Sequence, residues 1–206
     1  MPDTPTRDGF TLGRLARDVL TVLDRFEVPR AHLVGNSLGG LIGFELAVTT
    51  PERVATITTF GTTAQLRSNA ALVWTVRATL RVLGTRGTGW VAGRSVADRE
   101  GGRVIARLMA EADRRAVGLV SRNIATYDDT PGLRHSRVPW LLIRGERDRG
   151  INRVLASTLA VINAREDAHL VDLDGAGHYA NLEEPETFNA ALDAFLKRYA
   201  ATIGGT

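Results

Sequence analysis

A chain of 206 residues, 44% of them hydrophobic and 24% charged, is long enough for one domain with a substantial core, and its lack of cysteine excludes a disulfide framework, thiolate chemistry and a cysteine-based metal site. The formal charge of +3 rests on arginine, Lys197 being the only lysine, and it concentrates between residues 61 and 130, where eleven arginines face six acids. No aromatic residues interleave with those arginines as a base-stacking platform requires, the start Met1-Pro2-Asp3-Thr4-Pro5-Thr6-Arg7 is polar, and no apolar stretch is long enough to span a bilayer, so the expectation is a cytoplasmic chain with neither nucleic acid nor membrane as partner.

Thr11 caps a predicted helix whose apolar positions Leu12, Leu15, Ala16, Val19, Val22, Leu23 and Phe26 keep the 3.6-residue period and end before Pro29. His32-Leu33-Val34 reads as a strand. It runs directly into Gly35-Asn36-Ser37-Leu38-Gly39-Gly40 and then into a helix-forming stretch, 41–47, stopped by Pro51. A serine between strand and helix, with glycine two before and two after, is the layout of a nucleophile elbow. Such a turn is strained and needs neighbours without bulk; it lifts the hydroxyl clear of the sheet and sets it at a helix start, where free N–H groups and the dipole favour a developing oxyanion. A strand over 54–60 comes next. Strands alternating with helices imply a parallel sheet. The alternation breaks between Gly61 and Arg137, which reads as helices over 64–83, 99–111 and 114–126, with Gly84-Thr85-Arg86-Gly87-Thr88-Gly89 as a loop.

A strand over 138–143 runs into Arg144-Gly145-Glu146-Arg147-Asp148, a helix is suggested from 151 to 164, and a strand over 168–173 runs into Asp174-Gly175-Ala176-Gly177-His178. Serine is nucleophilic only beside a base, and the base needs a carboxylate to orient it. Of the four histidines, His32 and His169 fall inside strands and His135 in a basic linker, leaving His178, in a glycine-rich loop after the last strand, as the candidate base. Asp148 is the candidate orienting acid, with Glu146 and Asp174 as rivals and helix capping as its other reading. Pro185 opens a last helix through Lys197 with Phe188, Leu192, Phe195 and Leu196 on one face. The histidines are too scattered for a metal cluster and no Gly-x-Gly-x-x-Gly follows a strand, so no metal and no cofactor are expected.

From Leu12 to Leu196 the chain resembles the α/β-hydrolase superfamily, in particular its small bacterial esterase, lactonase and cofactor-free haloperoxidase-like members. Three motifs carry the likeness: the elbow, Ile143-Arg144-Gly145-Glu146-Arg147-Asp148, and Gly175-Ala176-Gly177-His178 followed by Asn181-Leu182-Glu183-Glu184-Pro185-Glu186, in the chain order serine, acid, histidine. The resemblance implies a partial α/β-hydrolase fold, a mostly parallel sheet of about four strands flanked by helices, with the core in 1–60 and 138–206 and a helical cap insertion in 61–137 where Trp74, Trp90 and Met109 are candidate pocket residues. It implies a serine hydrolase acting on a small carboxylic ester, thioester or lactone: Ser37 attacks, His178 moves the proton, Asp148 holds the imidazolium and the Leu38 N–H serves the oxyanion hole. The same triad serves carbon–carbon hydrolases and cofactor-free peroxidases, and the rival class is an inactive fragment or a binding module. The strands that precede the first helix in the family, with the loop that gives the second oxyanion N–H, have no counterpart here; the expectation is an N-terminally truncated member whose elbow strand becomes a sheet edge open to self-association.

Overall fold

The four apolar runs read as strands become one parallel sheet. A computed structural model describes residues 8–67 and 70–199. In chain order the elements are α1 (Leu12–Arg25), β1 (Ala31–Asn36), α2 (Leu38–Thr49), β2 (Val54–Phe60), β3 (Gln65–Arg67), α3 (Ala70–Ser95), α4 (Arg99–Glu111), α5 (Arg114–Asn123), β4 (Thr126–Asp128), α6 (Thr130–His135), β5 (Trp140–Gly145), α7 (Arg149–Asn152), α8 (Ala156–Asn163), β6 (Ala168–Leu173), α9 (Ala180–Glu183) and α10 (Pro185–Arg198). They divide into two compact units, one of residues 8–15 with Leu66–Tyr127, the other of Ala16–Gln65 with 128–199. The boundaries at 65/66 and 127/128 fall inside β3 and β4, which pair as a short ribbon.

The second unit holds the sheet, in the order β1-β2-β5-β6, with every neighbouring pair parallel. β2 lies inside and is buried at all seven positions, whereas β1, as expected, is an edge among the described residues, with Val34 47% exposed. Strand alternation assigns the two faces. Trp140, fully buried, meets the ring of Phe44 on α2 edge-on at 5.0 Å and donates its indole N–H to the Thr59 hydroxyl at 2.9 Å. Leu141 and Ile143, pointing the other way, pack with Phe60, Leu173, Phe188 and Phe195, so α10 covers the face opposite α2. α2 is apolar on almost every side, as befits a helix pressed against a central sheet. α1 obeys its predicted bounds, yet of its apolar stripe only Ala16 is buried, and Val22 and Phe26 are exposed.

The first unit is helical. Asp98 and Asp113 cap α4 and α5 through the N–H groups of Gly101 and Ala116. The predicted loop at 84–89 is absent: helix continues to Ser95, broken only at Gly84 (φ 62°, ψ −173°). Gly84, with open space around it, serves that break, whereas Gly89 and, beyond the expected loop, Gly93 serve contact. A Cβ at Gly93 would collide with the Gly102 carbonyl, and one at Gly89 with the Ala106 carbonyl and Met109, so α3 and α4 approach backbone to backbone.

Elsewhere the sequence reading needs four corrections, one being that the helix expected over 114–126 ends at Asn123 because Thr126–Asp128 form β4. The helix expected from 64 begins at Ala70, because 65–67 form β3; residues 68 and 69 lie outside the described residues. The linker holding His135 is α6, where its Nδ1 pairs with the Pro131 carbonyl at 2.8 Å. The helix expected over 151–164 is split into α7 and α8, because Leu155 turns into the core and the Val154 carbonyl accepts from the Thr63 hydroxyl at 3.2 Å.

Asp129, just before α6, has its Oδ2 buried without a hydrogen-bond partner among the described residues. Burial first, then the charges of Glu45 and Asp128, push its carboxyl up to about 6 from the ordinary 3.8. Folding therefore favours the protonated form, so this contribution to stability is complete below the ordinary value and is lost as pH rises to about 6. Urea unfolding should show Asp129→Asn flattening the decline between about pH 4 and 6 and exceeding the parent in stability at about pH 8; equal midpoints for both proteins at the higher pH would refute this.

Candidate active site

Ser37 occupies a backbone conformation that side chains rarely adopt, φ 49° and ψ −111°, between the last residue of β1 and the first of α2. Strain of this kind costs about 1–3 kcal/mol and persists only where the surroundings enforce it. Here the Ser37 N–H donates to the Phe60 carbonyl at 3.0 Å and its carbonyl accepts from Leu41 N–H at 3.2 Å. Gly35 is required, since a Cβ there would collide with the backbone of Gly39 and Gly40. Gly39, expected to be small for the same reason, faces open space; the tight position is Gly40, where a Cβ would meet the Thr62 methyl group. Ser37 makes no side-chain capping bond to α2, and Leu38, as the first helical residue, has an N–H with no partner inside the helix.

Asp148, three residues past β5, turns its two oxygens to different partners. Its Oδ1 accepts from the Ile151 N–H at 3.3 Å, capping α7, while its Oδ2 lies 2.8 Å from His178 Nδ1. The Asp148 side chain is 10% exposed and that of His178 32%, so the pair is desolvated on the acid's side and open on the base's. The rivals do other things. Glu146 accepts the Gly175 N–H at 3.2 Å, bracing the loop, and Asp174 is exposed.

β1 and β6 are opposite edges of the sheet, three strand spacings or about 14 Å apart, so His178 reaches the serine's side only if its loop crosses the ends of β5 and β2. The crossing is pinned step by step. Arg147 N–H donates to the Ala176 carbonyl at 2.8 Å, Gly177 N–H donates to the Glu183 carboxylate, and the Asn36 side-chain amide donates to the His178 carbonyl at 2.8 Å and to the Phe60 carbonyl at 3.3 Å. Gly61 (φ 58°) completes the passage: a Cβ there would strike both Asn36 and His178. Tyr179 sets its ring perpendicular to that of His178 at 5.0 Å; burial, then the Asp148 and Glu183 carboxylates, hold its phenol above the usual range and so neutral. Asn36 and Glu183 were assigned nothing from sequence. The first is the variable position of the elbow motif and the second lies five residues after the histidine, and neither position carries a chemical signal of its own.

The structure thus brings Ser37, Leu38, Asp148 and His178 into the second unit. Trp74, Trp90 and Met109 belong to the first, with the two indoles 71% and 60% exposed and Met109 against α3. An open depression of about 450 Å³ lined by Asp24, Glu27, Val28, Pro29 and Arg53 lies at the N-terminal ends of β1 and β2, away from this chemistry. The Arg53 guanidinium already engages Asp24 and the Val28 and Pro29 carbonyls there. Among the described residues no three acids or histidines converge to hold a metal ion.

A serine elbow and an acid–histidine pair at the C-terminal ends of parallel strands define a class of hydrolase. The chain matches the model of the alpha/beta hydrolase family over residues 1–191, and it belongs to that family. It is 26% identical to 3-oxoadipate enol-lactonase 2 of Acinetobacter baylyi over 92% of this chain and 72% of that protein. Among solved structures it is similar to a hydrolase from Pseudomonas aeruginosa (28% identity, TM-score 0.75, 95% of this chain and 74% of the other). It is also similar to the enol-lactonase from Burkholderia xenovorans (26%, 0.77, 91% and 74%).

If Asn36 carries the loop to the elbow, Asn36→Ala should slow reaction of the serine by roughly a hundredfold, the order expected for a small misplacement of a base. Loss of the two bonds should cost stability only about 1–2 kcal/mol. Comparing the rate of fluorophosphonate labelling with the urea midpoint checks this, and an unchanged labelling rate would show that the ring is held by Asp148 alone.

Proposed function

We propose that this hydrolase cleaves a small carboxylic ester or lactone through an acyl-enzyme on Ser37. The observation that carries the reading is the 2.8 Å pair of Asp148 and His178 on a loop bonded to the residue preceding a strained serine. Asp148 accepts a hydrogen bond from the Nδ1–H, which fixes the tautomer with Nε2 as the lone-pair nitrogen able to take the Ser37 proton as oxygen attacks the carbonyl carbon. The tetrahedral oxyanion is met by the Leu38 N–H at the positive end of α2. Collapse expels the alcohol oxygen, which takes the proton back from His178. Water, deprotonated by the same nitrogen, then releases the acid. In a lactone, leaving group and acyl part stay in one molecule, and the product is a hydroxy or oxo acid. Two similar proteins named as enol-lactonases support that arm, and thioesters fit the same steps.

A fluorophosphonate should label Ser37 and no other serine, and Ser37→Ala should abolish both labelling and turnover of a short aryl ester and an enol lactone. Asp148→Asn should lower kcat by up to about four orders of magnitude with folding intact, because an amide favours the wrong imidazole tautomer. Labelling that survives in Ser37→Ala would remove the mechanism, and a loss under tenfold in Asp148→Asn would move the orienting role to Glu146 or another acid.

A further inference from the structure

The carboxylate of Asp148 can orient an imidazole only if the turn that carries it is itself held. Upstream, that turn is tied to the histidine loop. The Glu146 N–H donates to the Leu173 carbonyl at 3.1 Å and the Arg147 N–H to the Ala176 carbonyl at 2.8 Å. Gly145 lies so near that loop that a Cβ there would strike the carbonyls of Ala176 and Gly177. Downstream the backbone offers less. α7 is four residues long, a single turn, and a helix so short does not persist by its own backbone bonds.

Asn152, the last residue of α7, closes the gap. Its N–H donates to the Asp148 carbonyl at 2.9 Å, and side chains on a helix lean back toward its start. The amide accordingly reaches behind Asp148: Asn152 Nδ2 donates to the Gly145 carbonyl at 2.9 Å and to the Glu146 carbonyl at 3.2 Å. The Gly145 carbonyl also accepts from the Asp148 N–H at 3.2 Å, so the acid's own backbone and the amide share one acceptor. The chain from Gly145 through Asp148 to Asn152 is thereby a closed loop, with the acid in the middle and the amide as its clasp. Turning the amide over would set Oδ1 against both carbonyls, so the two acceptors fix which way it faces. Oδ1 is left buried with no hydrogen-bond partner among the described residues, which marks the side chain as placed for its donors and not for its acceptor.

We propose that Asn152 is a positioning residue for the reaction, acting through Asp148 by setting the direction from which Oδ2 meets His178 Nδ1. This role rests on the acyl-enzyme chemistry of Ser37 proposed above.

The test is a double-mutant cycle on the full chain, read as kcat and KM for 4-nitrophenyl acetate and as the rate of fluorophosphonate labelling of Ser37. Asn152→Leu, close in volume but without donors, should lower kcat and the labelling rate about tenfold and leave KM within about twofold, because a misaligned base slows the chemical step and not substrate binding. In the Asp148→Asn background, where the carboxylate is already gone, the same substitution should change the labelling rate by less than about twofold. Asn152→Ala, which cannot overfill the space, should repeat both results, and urea midpoints identify the variants that are folded. Unchanged rates in the Asn152 variants, a loss carried by KM alone, or an equal tenfold loss in the Asp148→Asn background would overturn the assignment. Failure of the underlying reading looks different and takes the assignment with it: the parent would then go unlabelled at Ser37, or Asp148→Asn alone would lose less than tenfold.

Discussion

The hydrogen bond from the Asn36 amide to the His178 carbonyl is the constraint on which the site's geometry turns. Parallel strands deliver their C-terminal ends to one rim of the sheet, but the strand order puts the serine's strand and the histidine's strand at opposite margins. Something must draw the last loop back across two intervening strand ends. A side-chain amide suits that task because its two N–H bonds reach two carbonyls, here those of Phe60 and His178. The Phe60 carbonyl also receives the Ser37 N–H, so the elbow, the end of β2 and the histidine loop share one small knot of backbone polar groups.

That knot sits on a well-packed base. The strain at Ser37 is tolerated because α2 cannot swing away: Phe44 is fully buried against Trp140, and Gly40 lets the helix start touch Thr62. Burial of two such aromatic side chains contributes several kcal/mol, more than the about 1–3 kcal/mol the turn costs. Carboxylates near the site work in the same economical manner. Asp148 divides its oxygens between a helix cap and an imidazole, and Glu146 and Glu183 each hold a glycine N–H of the crossing loop.

Much of this was legible in the amino-acid sequence because the signals were periodic or punctuated. The strands at 54–60 and 168–173, the helix opened by Pro185 and the elbow itself fall where apolar runs, proline and paired glycines put them. Three-residue strands such as β3 and β4 are too short to show a period, and the glycines at 84–89 were ambiguous between a turn and a close helix contact. The sequence puts Asp148 first, but spacing leaves Glu146 and Asp174 open as rivals. All three sit within the same short loops after strands, and only the fold shows which carboxylate faces the ring.

β1 has a hydrogen-bonded neighbour on one side among the described residues, and it runs directly into Ser37, the strained residue of the site. The amides of an edge strand are released by small local openings, at a free energy below that of global unfolding. Warming or mild denaturant would therefore fray the reactive centre while the buried heart of the sheet, β2 and β5, stays intact. Loss of chemistry and loss of structure in this molecule are then separate events, the first preceding the second.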